Sequence, residues 1–138
     1  MDLMAGRHDF FGVNLGANFS LIDLPTIKNS KGLITICENI LPFEVKRIYW
    51  IYSSDNQLRG GHRHKLTSQC LVALSGYVSI EMCDGVHNEV IALDDPNKAL
   101  IVEPKDWHTM KFGSGAVLLV MASHFYDVND YIDQPYER

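Results

Sequence analysis

From Gly32 to Ser123 the sequence is a succession of short runs with strand character, each closed by residues that turn a chain. The runs are "GLITICEN" (32–39), "EVKRIYWIYSS" (44–54), "QCLVALSG" (69–76), "YVSIEMCDG" (77–85), "NEVIAL" (88–93), "KALIVEP" (98–104), "WHTMKFGSG" (107–115) and "AVLLVMAS" (116–123). Between them stand Asn29-Ser30-Lys31-Gly32, Asp84-Gly85, Asp94-Asp95-Pro96-Asn97 and Gly113-Ser114-Gly115. Short strands at close, regular spacing indicate an all-β sandwich or barrel. Only "YDVNDYI" near the C-terminus reads as helical. A chain of 138 residues suits one domain with a single core, and no repeat or linker divides it.

Two runs, "CLVAL" and "VLLVMA", are apolar at every position, as in strands buried on both faces. Alternation puts Cys70, Val72 and Leu74 on one face and Gln69, Leu71 and Ala73 on the other. One face would line a barrel, and the other would pack on a second sheet or another subunit. A lone small barrel would leave that second face as a large apolar patch, which soluble monomers seldom tolerate. The expectation is therefore a homodimer. Residues 1–20 carry Gly, Asn and Phe without clear period and read as an irregular or partner-exchanged arm. Its Phe10, Phe11 and Phe19 would serve as anchors, and 21–138 form the domain.

A formal net charge of -5 offers no electrostatic basis for binding nucleic acid, although a local arginine cluster can still bind a small anion. No apolar run approaches the ~20 residues that span a bilayer, and the N-terminus does not read as a signal peptide. Cys37, Cys70 and Cys83 are odd in number and lack C-x-x-C spacing, which fits a reducing cytoplasm. Cys70 reads as an inert buried thiol.

Chemistry concentrates in "RGGHRHKLTSQCLVALSG" (59–76). In extended chain His62 and His64 share one face, while Arg63 and Lys65 take the other. Such a pair can hold a metal, move protons, or be two strand residues satisfied by hydrogen bonds. The spacing His62-x-His64, four residues, Gln69, six residues, Gly76 resembles the first motif of the cupin superfamily, a small jelly-roll β-barrel. "EPKDWHTMKF" (103–112) is similar to the second motif and brings His108 toward the same barrel. Metal-binding cupins typically complete the site with a Glu where this chain has Gln69. A neutral amide loses the charge that helps hold a divalent cation, so the expectation is metal-free acid–base chemistry with no cofactor.

Four segments in order sharpen the resemblance, "RGGHRHK" (59–65), "LVALSG" (71–76), "EPKDWHTM" (103–110) and "LVMASHFYDVNDYI" (119–132), and "GLITICENILPFEVKRIYWIY" (32–52) joins them. Together they resemble the sugar 3,4-ketoisomerases acting on dTDP-4-keto-6-deoxyglucose, over roughly residues 22–138. Arg63 stands where a small residue is frequent in that family, and Lys31 where an Arg is usual. The resemblance implies a dimeric enzyme of deoxysugar biosynthesis, serving O-antigen, S-layer or antibiotic sugars. It would convert a dTDP-4-keto-6-deoxyhexose to the 3-keto isomer through an enediolate.

That reaction removes the C3 proton, returns one to C4 and moves protons between two oxygens. Imidazole, with an unperturbed pKa of about 6.5, meets the demand. The expected division gives His62 the carbon proton and His64 the oxygen protons. Tyr49 would hydrogen-bond a sugar hydroxyl or the forming oxyanion. Arg47 and Arg59 would take the pyrophosphate through guanidinium forks, with Lys31 as a further phosphate contact. Gln69 and His108 would line the cavity. His8, His87 and His124 have weak claims. The alternatives are a dTDP-sugar 3,5-epimerase-like enzyme and a non-catalytic cupin that binds nucleotide sugars.

Overall fold

Residues 18–53 and 57–137 are described by the computed structural model. Their strands are β1 (Leu21–Asp23), β2 (Thr26–Asn29), β3 (Gly32–Thr35), β4 (Arg47–Tyr52), β5 (Leu58–His64) and β6 (Gln69–Ser75), followed by β7 (Val78–Cys83), β8 (Asn88–Leu93), β9 (Lys98–Val102), β10 (Trp107–Phe112), β11 (Val117–Ala122) and β12 (Tyr131–Ile132). Two five-stranded antiparallel sheets result, in the orders β1-β9-β6-β11-β4 and β12-β5-β10-β7-β8, and β2-β3 form a separate ribbon. The all-β, single-domain expectation holds. The non-sequential neighbours reflect connections that cross from one sheet to the other, as in a jelly roll.

The core lies between the sheets. Alternate residues of β6 (Leu71, Ala73), β7 (Val78, Ile80, Met82), β10 (Met110, Phe112) and β11 (Leu118, Val120) meet there with Leu93, Leu100 and Val102. Each fully buried large aliphatic or aromatic side chain contributes about 1.5–3 kcal/mol relative to exposure. The opposite face of the first sheet carries Cys70, Val72, Ala99, Ile101 and Met121, and the chain's own Ile40, Leu41, Phe43 and Val45 pack on it. A long irregular segment thus covers part of the second apolar face. The cover ends at β4, whose Ile48, Trp50 and Tyr52 remain 55 %, 55 % and 71 % exposed.

Two other readings change. "YDVNDYI" is a single 3-10 turn, Val128–Asp130, that runs into β12. The Asp127 side chain accepts from Asn129 N–H and starts the turn, but pairing of Tyr131 with His64 then draws the backbone into the sheet. Edge pairing outweighs the weak helical propensity of a segment this short. Phe19, counted above with the arm, is 5 % exposed in the barrel core. Phe10 and Phe11 lie outside the described residues.

Candidate active site

Sheet register assembles one wall of a cavity inside the barrel. Across β6, β11 and β4, Gln69 is paired with Ala122 and Ala122 with Arg47; the next inward row is Leu71, Val120 and Tyr49. Arg47 and Tyr49, two apart, therefore project to the same side as Gln69. Gln69 Nε2 donates to Tyr49 Oη at 3.0 Å, which leaves the phenolic hydrogen free to point elsewhere. The Arg47 guanidinium lies over the Tyr49 ring, 4.4 Å from its centroid, and also faces Tyr126 at 5.2 Å.

The facing wall comes from β5, β10 and β12. His62 is paired with His108, and His64 with Tyr131. Register slips at His108/Thr109, where Thr109 pairs with Gly60 and leaves Gly61 as the extra residue. Gly60 and Gly61 have φ of +81° and +79°, a region side chains disfavour. A Cβ on Gly60 would also sit 2.9 Å from the His108 carbonyl oxygen. The Gly-Gly pair therefore makes the bulge that sets His62 opposite His108. The His62 ring lies 5.0 Å from that of His64 and 4.9 Å from that of His108, edge to face in both cases.

Each imidazole has a defined environment. His64, 3 % exposed, meets Asp130 Oδ2 through Nδ1 at 2.9 Å. The same carboxylate accepts from Leu66 N–H at 2.7 Å and Thr67 Oγ1–H at 2.5 Å. Burial pushes Asp130 up, but the bonds from Thr67, Leu66 and His64 outweigh it and hold the carboxylate below its ordinary range. His108, 1 % exposed, donates Nδ1–H to the Asp106 carbonyl at 3.2 Å. Burial, reinforced by His62, pushes His108 down to about 3. Burial and neighbouring His64 lower His62 to about 4. His64 is also lowered by burial, with Asp130 opposing. Three mutually close imidazoles are thus neutral at physiological pH, each with a lone-pair nitrogen. Tyr49 is raised by burial and by Tyr131, so it stays a hydrogen-bond donor.

The cavity, about 180 Å³, is lined by Arg47, Tyr49, Arg59, His62, Gln69 and His108, with Ile51, Met110, Val120 and Tyr131 among the remainder. Six of the eight residues expected from the sequence therefore share it. His64 stands behind His62 and makes ring contact with it. Lys31 is the exception. It is exposed in the turn of the β2-β3 ribbon, outside both barrel sheets, and it does not line this cavity. Cys70 faces away from Gln69, fully buried in the outer cluster, where burial pushes its thiol up to about 12. His87 bonds Asp84 at a surface turn and His124 bonds Ser123. His8 lies outside the described residues. Asp130, Thr67 and Tyr131 were not singled out from the sequence. Asp130 and Tyr131 lie within the closing "DVNDYI", where a helical reading concealed which side chains turn inward.

Among the described residues, His62, His64 and His108 are the group able to offer a metal three nitrogens, spread over up to 4.8 Å. Ligands at the ~2.0–2.1 Å of zinc–imidazole bonds stand only about 3.4 Å apart on a tetrahedron. Among the described residues no carboxylate joins this group, and the amide of Gln69, which stands where metal-binding cupins carry a Glu, donates to Tyr49. If a cation were bound, these three imidazoles would be its ligands and would have to draw closer together to reach it.

A family model described as "FdtA: WxcM-like, C-terminal" matches residues 17–137. A TDP-4-oxo-6-deoxy-alpha-D-glucose-3,4-oxoisomerase of Aneurinibacillus thermoaerophilus is 41 % identical over 118 residues, covering 83 % of this chain and 85 % of the relative. A mutant of QdtA, a 3,4-ketoisomerase of Thermoanaerobacterium thermosaccharolyticum solved with TDP-4-keto-6-deoxyglucose, is 36 % identical with a TM-score of 0.80. That alignment covers 85 % of this chain and 88 % of the other. A 3,4-ketoisomerase from Helicobacter canadensis is 35 % identical, TM-score 0.80, over 85 % and 91 % of the two chains.

Proposed function

The chain belongs to the FdtA/WxcM-like family of sugar 3,4-ketoisomerases, and from that premise we propose that it converts dTDP-4-keto-6-deoxyglucose to the 3-keto isomer without a resident metal. The observation that carries this reading is the cluster of imidazoles in which His62 and His108 face Tyr49 across one small cavity while His64 packs against His62. Isomerisation needs no net redox partner. A base takes the C3 proton, its electrons form the C3=C4 enediolate, and a proton returned to C4 closes the sequence while the O3 proton moves to O4. A neutral imidazole is competent to accept at each stage, and positioned general acid–base catalysis contributes ~10²–10⁴-fold. Tyr49 donates to the oxygen that gains negative charge, a role favoured in a water-poor site.

A cavity of about 180 Å³ is below the ~300–1,000 Å³ typical of a drug-sized ligand, so it suits one sugar ring. The diphosphate and nucleoside then lie toward its mouth, with Arg47 and Arg59 as phosphate partners. We further propose a homodimer. The row Ile48, Trp50 and Tyr52 on edge strand β4, with Leu33 and Ile34 of the ribbon, is exposed apolar surface of the kind a partner covers. The cytoplasm is the proposed compartment, supported by Cys37, Cys70 and Cys83 all being free thiols.

The test is NMR of the sugar after incubation with dTDP-4-keto-6-deoxyglucose in deuterated buffer. A 3-keto product with deuterium at C4 is expected. Exchange at C5 with inversion would instead identify an epimerase, and an unchanged sugar with tight nucleotide binding would identify a binding module. Light scattering at micromolar concentration should return about twice the chain mass.

A further inference from the structure

We propose that Asp130 is a positioning residue, which holds His64 in a single tautomer and so makes Nε2 of that buried ring a proton acceptor of the cluster. The inference rests on the ketoisomerase reading for its chemical purpose, but its geometry stands independently. Asp130 Oδ1 accepts from Leu66 N–H, and Oδ2 accepts from Thr67 Oγ1–H and from His64 Nδ1. Leu66 N–H can only donate. Its charge-stabilising bond, with that of Thr67, keeps the carboxylate an acceptor, so the proton on His64 must sit at Nδ1. The opposite nitrogen, Nε2, is then a lone pair. It is buried and has no hydrogen-bond partner among the described residues.

Leaving a buried acceptor unpaired is destabilising, and a catalytic role is one of the reasons a fold keeps such a group. The ring carrying it stands against His62, which lines the cavity. Asp130 itself does not line that cavity and acts only through the ring. The chain delivers it by continuity: the turn Val128–Asp130 leads directly into β12, whose Tyr131 pairs with His64, while the Asp130 carbonyl accepts from Lys65 N–H.

Asp130→Asn makes the prediction sharp. An amide has one acceptor oxygen and one donor nitrogen, while three donors converge on this carboxylate. Either the amide nitrogen opposes Leu66 N–H, or it turns to His64 and forces the proton to Nε2. Long-range ¹H–¹⁵N correlation on imidazole-labelled protein reads the tautomer directly, without substrate. Wild type should show His64 protonated at Nδ1 and bare at Nε2, and Asp130→Asn should lose that pattern. In turnover of the 4-keto sugar, kcat should fall about 100-fold or more, as wrong-tautomer variants of buried His–carboxylate pairs do, with KM changed less than about threefold. Asp130→Glu, which keeps the carboxylate, should recover part of kcat, and Thr67→Val should preserve the tautomer.

A wild-type His64 protonated at Nε2 would overturn the proposal even if no variant folds. So would an Asp130→Asn enzyme with unchanged kcat. The predicted tautomers in a protein that turns over no 4-keto sugar would leave Asp130's geometry standing and defeat the functional reading instead.

Discussion

Replacing His108 should make the protein relatively less sensitive to acid, by an amount the structure sets. His108 is 1 % exposed, and its pKa falls from an ordinary 6.5 to about 3 because burial penalises the charged ring. In the unfolded chain it titrates normally. Between those values the unfolded state holds a proton that the native state refuses, so stability declines as pH falls through 6.5 and goes on declining toward 3. Each unit is worth about 1.4 kcal/mol. At pH 4.5, two units into the window, His108 therefore withdraws roughly 3 kcal/mol from a total that is typically about 5–15 kcal/mol. His108→Asn can keep a donor near the Asp106 carbonyl but has nothing to titrate. It should be less stable than wild type at pH 7.5, since it loses ring packing, and that deficit should shrink by about 2–3 kcal/mol at pH 4.5. Asp106, pushed up to about 6 chiefly by burial, acts in the opposite sense. The difference between the two proteins, rather than either curve alone, is thus the quantity to measure. Urea titrations at both pH values supply it, with midpoint gaps moving by about 1–3 M at ordinary m-values. A gap that is the same at both pH values would show that His108 is not held neutral, and the account of the cluster would fail with it.

His62→Asn and His64→Asn should each reduce turnover by at least about 100-fold while near-ultraviolet circular dichroism stays native; near-normal rates in both would remove the imidazoles from the mechanism. Purified protein should contain less than one equivalent of transition metal by mass spectrometry, and chelator should leave activity intact; a stoichiometric metal whose removal abolishes turnover would reverse that reading. Gly60→Ala places a Cβ 2.9 Å from the His108 carbonyl at a φ of +81°. It should lower stability by more than about 1 kcal/mol in urea unfolding and reduce kcat, because the bulge that sets His62 opposite His108 must shift.

What could be read directly was everything governed by local rules. Strand alternation put His62 and His64 on one face, Arg47 with Tyr49, and Gln69 opposite Cys70, because side chains in extended chain have a period of two whatever the fold. The structure keeps all three relations. Turn residues marked the strand ends well enough to show an all-β domain, and ordered motifs pointed to a family. Position between distant segments was not a local property. Gly60 and Gly61 are two glycines until β10 pairs with β5, and only then does their bulge decide which residue faces His108. Lys31 carries the right charge for a phosphate, but its ribbon joins neither barrel sheet. The run 44–54 becomes strand only from Arg47, and Val45, with Ile40, Leu41 and Phe43, covers an apolar face instead. Asp130 is the sharpest case. It lies 66 residues from His64 in the chain, in a stretch whose own propensity favoured a turn of helix. Only the pairing of β12 with β5, a long-range event driven by backbone hydrogen bonds and edge protection, brings its carboxylate to the ring.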